Sequence, residues 1–204
     1  MPVSTLGILA YGSLIDDPGA ELQEIIIDQI PGVMTPFSIE FARSSWTRDG
    51  APVLVPVGTG GTPVSGVILL LREGISEQEV MDRLYRREIH RVGSWKCYDH
   101  QLDGDLNPMR IGRCADLSEV KTLLYASFLQ NIPNPTPEGL ACLVIESAKA
   151  GAGARGKDGI RYLIDAKWNG IQTPLTDGYE REILRQTGTQ SLEETLRSVR
   201  RDAW

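Results

Sequence analysis

Three places in this sequence hold residue types that could do chemistry. The first is Leu9 to Leu14, which reads Leu-Ala-Tyr-Gly-Ser-Leu. An apolar run over residues 6–10 stops at Tyr11, Gly12, Ser13 and Leu14, the pattern of a buried strand ending in a tight loop. Gly12 allows a positive φ and lets a ligand come close to the main chain. Successive N–H groups there could form an anion-binding nest, although a strand followed by an ordinary turn would also carry a lone Gly-Ser. The second is Glu88, in Asp82-Arg83-Leu84-Tyr85-Arg86-Arg87-Glu88. A carboxylate can take up a proton and return it, yet a Glu beside two arginines on a helix is by itself the usual make-up of a solvated face. The third is Gly151 to Lys157, with the Gly-x-x-x-x-Gly-Lys spacing of a phosphate-binding loop. A short apolar strand is expected before it at residues 141–145 and a helix after it. Asp158 stands where such a loop needs a Ser or Thr to hold Mg²⁺, and a carboxylate would repel phosphate. A flexible connector is therefore expected, with a nucleotide-binding enzyme as the alternative.

Other residues fit structural roles better. Arg43, Ser44, Ser45 and Trp46 end an expected strand and could line a pocket, but they read as a polar strand edge. Tyr98 could offer a hydroxyl, though a core tyrosine is the commoner role. His90 reads as a surface histidine. The three cysteines, Cys97, Cys114 and Cys142, are widely separated and odd in number. With no Cys-x-x-Cys pair and only His90 and His100 besides, neither a metal centre nor a disulfide framework is expected.

The elements that must position these groups follow from pattern. A chain of 204 residues, 41% of them hydrophobic, can bury its own core. A net charge of −6 argues against a nucleic-acid surface as the main function. The longest apolar run, residues 67–71, is too short for a membrane span. The first residues lack the basic and apolar regions of a secretory signal, so a reduced, cytoplasmic setting is expected. Strands are expected at residues 6–10, 38–46, 53–57 and 64–71, the last two joined as a hairpin around Gly58-Thr59-Gly60-Gly61. Ala20–Gln23 suits a short helical turn. Ser76 and Glu79 form a capping box for a helix whose apolar stripe is Val80, Met81 and Leu84, with Arg86, Arg87 and Glu88 near its end. Helices are expected from about Asp158 to Trp168, from Thr176-Asp177 to a stop at Gly188, and from Ser191 to about Arg201. Their apolar stripes need a partner, either the sheet domain or a second copy of the chain. The expectation is an α+β protein with two parts, residues 1–149 carrying the sheet and residues 150–204 forming a helical C-terminal appendage.

The chain resembles the gamma-glutamylcyclotransferase family, including its glutathione-acting ChaC-like branch. The resemblance runs over roughly residues 6 to 100. It rests on the apolar strand ending in Tyr11-Gly12-Ser13-Leu14, on Val64-Ser65-Gly66-Val67, and on Leu84-Tyr85-Arg86-Arg87-Glu88, in that order. It implies a mixed, barrel-like sheet with helices around its rim. It also implies cleavage of a γ-glutamyl amide or peptide by cyclisation, releasing 5-oxoproline and an amine, a lyase or acyl-transfer activity of glutathione metabolism. Glu88 would be the catalytic base and acid, and the backbone at Tyr11, Gly12, Ser13 and Leu14 would bind substrate, with no metal and no cofactor. Glu88 would work best partly withdrawn from water, so Arg86 and Arg87 are expected to point away from it. The expected partner is a small γ-glutamyl molecule, with no nucleic acid and no membrane. A non-catalytic binding module on the same fold is a further alternative.

Overall fold

A computed structural model describes residues 6–99 and 109–201. His100 and Met1 to Thr5, read above, lie outside the described residues. In chain order the elements begin with β1 (Leu6–Ala10), α1 (Ser13–Asp16), α2 (Ala20–Gln23), β2 (Ile26–Met34), β3 (Ile39–Ser45) and β4 (Ala51–Pro56). Then come β5 (Ser65–Leu71), α3 (Glu77–Glu88), β6 (Met109–Leu117) and β7 (Val120–Phe128). Five helices follow: α4 (Pro137–Lys149), α5 (Gly151–Ala154), α6 (Gly159–Trp168), α7 (Thr176–Thr187) and α8 (Leu192–Arg201). The protein is α+β, as expected, and no helix among the described residues is long and apolar enough to cross a membrane.

The chain divides into two compact units, each made of two stretches: Met1–Pro36 with Ser65–Leu129, and Phe37–Val64 with Gln130–Trp204. These units cut the chain elsewhere than at residue 150.

The first unit is built on an open five-stranded sheet of order β2-β5-β1-β7-β6, whose edges are β2 and β6. β1 lies at its centre, antiparallel to β5 (Ile8 opposite Leu69) and parallel to β7 (Ile8 opposite Leu124). Successive residues Gly7 to Ala10 are all buried, so both faces of the strand are covered, which explains why β1 is apolar throughout rather than alternating. The expected hairpin between residues 53–57 and 64–71 does not form. β5 has both edges taken, by β1 and β2, and β4 pairs with β3 instead. The glycine-rich turn carries Thr62 back to bridge Ile39 rather than joining two partners.

α3 starts where the capping box predicts: the Ser76 hydroxyl accepts from the Glu79 N–H at 3.2 Å, a cap worth about 1 kcal/mol. Val80, Met81 and Leu84 are buried on it. They join one core cluster with Ile8 and Ala10 of β1, Leu69 and Leu71 of β5, Leu124 of β7 and Leu22 of α2. Tyr98 belongs to the same cluster, its hydroxyl accepting from the Ile111 N–H at 3.0 Å, so it has the core role.

In the second unit the β3–β4 hairpin packs with the C-terminal helices. Residues 141–145 are helical, inside α4, and not a strand. Thr136 caps that helix through the Gly139 N–H, Pro137 opens it, and Leu140, Ala141, Val144, Ser147 and Ala148 are buried at helical spacing. α4 contacts α5, α6, α7, α8 and β4. The stripes of the later helices, including Ile160, Leu163, Ile183, Leu192, Leu196 and Val199, are buried. Their partner is the rest of their own unit. Phe41 of β3 meets the edges of Tyr179 and Tyr162, at ring-centroid distances of 5.3 and 6.4 Å.

Glu40, beside Phe41, is a buried carboxylate. It accepts from the Thr173 hydroxyl at 2.6 Å, the Phe41 N–H at 2.8 Å and the Leu175 N–H at 3.2 Å, and so serves the start of α7 from another element. Burial pushes its carboxyl up from the ordinary 4.5, and the three donors only partly offset this. The folded chain therefore holds the Glu40 proton more tightly than the unfolded chain does. This contribution to stability is present below the ordinary value and is lost as pH rises through the folded one. The stability of the unaltered protein relative to Glu40→Gln is expected to fall between pH 4.5 and neutrality. Urea unfolding across that range checks this, and a difference independent of pH would refute it.

Candidate active site

The candidate residues Tyr11 to Leu14 and Glu88 all lie in the first unit, where the central strand and α3 bring them together. β1 ends at Ala10, and Tyr11 ties the loop to the neighbouring strand by donating its hydroxyl to the Ala126 carbonyl at 2.5 Å. Gly12 is buried, with φ 58° and ψ −138°, a conformation that side chains exclude. Ser13 then opens α1, a single turn in which the Asp17 N–H donates to the Ser13 carbonyl at 3.1 Å. The first N–H groups of such a turn have no acceptor within it. Leu14 is 4% exposed and joins the core, so its part in any binding is played by the backbone.

Glu88 is the last residue of α3. It stands four residues after Leu84, and Arg87 stands three after it, so both prolong the stripe that begins at Val80. Both side chains are 12% exposed. Arg87 does not point away from Glu88, as expected above, but turns toward it, whereas Arg86 turns to Glu21. Arg87 donates to the Glu88 carboxylate at 2.6 Å and to the Ser13 carbonyl at 3.0 Å. It also donates to the Asp17 carbonyl, at 3.0 Å through Nε and 2.6 Å through the terminal nitrogen. Arg86 pairs with Glu21 at 2.5 Å, with both side chains under a fifth exposed, and it holds the Glu21 carboxyl below the ordinary range. Glu21 in turn accepts from the Gly93 N–H, and Arg86 donates to the Lys96 carbonyl at 2.9 Å, which fixes the segment after Glu88. Arg83 donates to the Glu21 carbonyl at 2.5 Å. Its contact with Glu24 matters less, because that carboxylate is 71% exposed and such pairs contribute roughly 0–1 kcal/mol. Three arginines of α3 thus bind the stretch from Ser13 to Glu24. The inward turn of Arg87 agrees with its helical phase, and the carbonyls that receive it carry no signature in the sequence.

The other candidates lie elsewhere. Arg43, Ser44, Ser45 and Trp46 belong to the second unit. There Ser44 donates its N–H to Asn131 at 2.7 Å, and Trp46 is 90% exposed. His90 is exposed, just past the end of α3. Cys97, Cys114 and Cys142 form no disulfide, and no group of three metal-binding side chains occurs among the described residues.

The Gly151–Lys157 segment lacks the setting of a phosphate loop, since the helix α4 and not a strand precedes it. Its Ala152 N–H donates to the Asp49 carboxylate, which Arg155 also meets at 3.4 Å. The segment thus holds an anion of its own chain. Gly153 lies against the end of α4, where a Cβ would stand 1.9 Å from the Ala148 carbonyl oxygen. Asp158 is the buried cap of α6, accepting from the Arg161 N–H at 3.0 Å.

No protein-family model matches the sequence, and no curated protein matches it either.

Two outcomes follow from this geometry. ATP or GTP with Mg²⁺ is expected to leave the melting temperature unchanged, because a ligand bound only by the folded chain must raise it. A rise that vanishes in Lys157→Ala would reverse that conclusion. Gly12→Val is expected to cost about 1–3 kcal/mol from backbone strain alone, and thermal unfolding measures it.

Proposed function

We propose that this chain cleaves γ-glutamyl amides or peptides by intramolecular cyclisation, releasing 5-oxoproline and an amine. One observation carries the reading. The two short motifs that resemble gamma-glutamylcyclotransferases meet at the guanidinium of Arg87, which belongs to the second and touches both its neighbour Glu88 and Ser13 of the first, 74 positions away. The finer fold assignment, a gamma-glutamylcyclotransferase-like sheet, goes with this reading. Its support is a central strand that ends in Tyr11-Gly12-Ser13 beside the helix end bearing the glutamate.

The chemistry asks for little more than these parts. The substrate's α-ammonium is not a nucleophile until it loses a proton, and Glu88 is the group placed to take it. The freed amine attacks the γ-carbonyl carbon. The new C–N bond closes a five-membered ring, and the carbonyl oxygen becomes an oxyanion. Collapse of that intermediate breaks the original amide bond. The attacking nitrogen gives up two protons in all, and the departing nitrogen takes both, so the leaving group departs as an ammonium and the ring keeps one N–H. Glu88 carries these protons in turn, and the protein forms no covalent bond to substrate. The Ser13 and Leu14 N–H groups at the start of α1 suit the substrate carboxylate or the oxyanion. Because ring closure is intramolecular, the substrate brings its own nucleophile, and the protein's task is to orient it.

The test is 5-oxoproline release from a panel whose leaving groups are cysteinyl-glycine, a free amino acid, an alkylamine and an aminoglycoside-like amine. Glu88→Gln is expected to stay folded and to lose roughly 10²–10⁴-fold in rate, the share of a positioned base. Full activity in that variant would remove Glu88 from the mechanism. Stabilisation by a panel member without 5-oxoproline release would show a binding module instead.

A further inference from the structure

Glu88 and Arg87 are adjacent on one helix, and adjacent helical residues do not ordinarily face each other. Here they meet at 2.6 Å because Arg87 is drawn aside by the main chain of another segment. Its Nε and one terminal nitrogen bind the Asp17 carbonyl, and that terminal nitrogen also reaches the Ser13 carbonyl. The remaining nitrogen binds Oε1 of Glu88. All three guanidinium nitrogens are therefore engaged by the protein itself. The carbonyls hold the guanidinium plane whether or not Glu88 is present. Oε2 of Glu88 accepts no hydrogen bond among the described residues.

We propose that Arg87 is the positioning residue of this site, fixing one oxygen of Glu88 against the Ser13–Asp17 turn and leaving the other to exchange protons with the substrate. The proposal rests on the reading of Glu88 as the base. It assigns the two oxygens different work: Oε1 is an anchor, and Oε2 takes the first proton from the α-ammonium and passes it to the departing nitrogen. It also gives the Ser13–Asp17 turn a part in the chemistry, since its carbonyls hold the base in place. A lysine could supply the charge but not the fork, because one ammonium cannot span Oε1 and both carbonyls in the plane they define.

The experiment compares Arg87→Ala, Arg87→Lys and Glu88→Gln with the unaltered protein, measuring 5-oxoproline release on the same panel. Arg87→Ala is expected to lose about a hundredfold in kcat, the cost of a misplaced base, with KM close to that of the unaltered protein. Added guanidinium ion is expected to restore part of that loss, and ammonium ion at equal concentration is not. Arg87→Lys, which keeps the charge and guards against a failure of the alanine variant to fold, is expected to fall between the two. Unchanged kcat in Arg87→Ala, full kcat in Arg87→Lys, or a loss that guanidinium does not restore would each overturn the proposal. If Glu88→Gln is inactive while the Arg87 variants keep full activity, only the role of Arg87 falls. If the unaltered protein releases no 5-oxoproline from any member of the panel, the reading of Glu88 falls and Arg87 falls with it.

Discussion

The first unit depends on how α3 is held at its far end. Its near end is fixed by an ordinary cap at Ser76, and its middle by Val80, Met81 and Leu84 against the sheet. At the last turn that stripe runs off the apolar core and onto Arg87 and Glu88. Two charged groups at 12% exposure would be costly alone, since removing one partner from such a pair leaves an uncompensated charge worth about 3–5 kcal/mol. They are tolerated because they neutralise each other and because the Ser13 and Asp17 carbonyls accept from the guanidinium's other two nitrogens. The helix terminus and the turn from Ser13 to Asp17 are thus fixed by one side chain. Arg86 with Glu21 repeats the arrangement on the adjacent face, and through Gly93 it extends to the segment beyond the helix.

The second unit solves a similar problem differently. The start of α7 is served by Glu40, a strand residue, in place of a side chain of its own, and the residue in its capping position is Leu175. The turn between β3 and β4 is likewise bound to the small-residue segment before α6 through Asp49, and Arg48 lies 4.6 Å from the centre of the Tyr162 ring. Both units therefore use charged groups to close the ends of elements whose middles are held by apolar packing.

Much of this was legible in the sequence where a local rule decides the outcome. The Ser76 cap, the buried stripe of α3, the Asp158 start of α6, the stop at Gly188 and the Ser191 box all appear where residue type and spacing place them. Gly12 at positive φ belongs to the same class. Failures came where the window read was too short or where the deciding partner is distant in sequence. A five-residue apolar window at residues 141–145 cannot distinguish a strand from a buried helix, whereas the wider span with Thr136, Pro137 and the small residues at helical spacing can. The supposed hairpin failed because β5 completes its hydrogen bonding with β1 and β2, a choice that no local pattern records. Arg87 was misjudged because its direction depends on backbone carbonyls 70 and 74 positions away.

The interleaving of the two units has a consequence for how the chain is made. Synthesis delivers β1 early, yet its parallel partner β7 begins only at Val120, so the central sheet stays incomplete until more than half the chain has emerged. The β3–β4 hairpin appears between those two events and must wait longer still, since the helices it packs with begin at Pro137. During that interval Phe41 has its β4 partner but lacks the Tyr162 and Tyr179 rings it packs against. A chain ordered this way pays its loop-closure entropy before the contacts that reward it. Its vulnerable period for aggregation and chaperone capture lies between the first hairpin and the last helix.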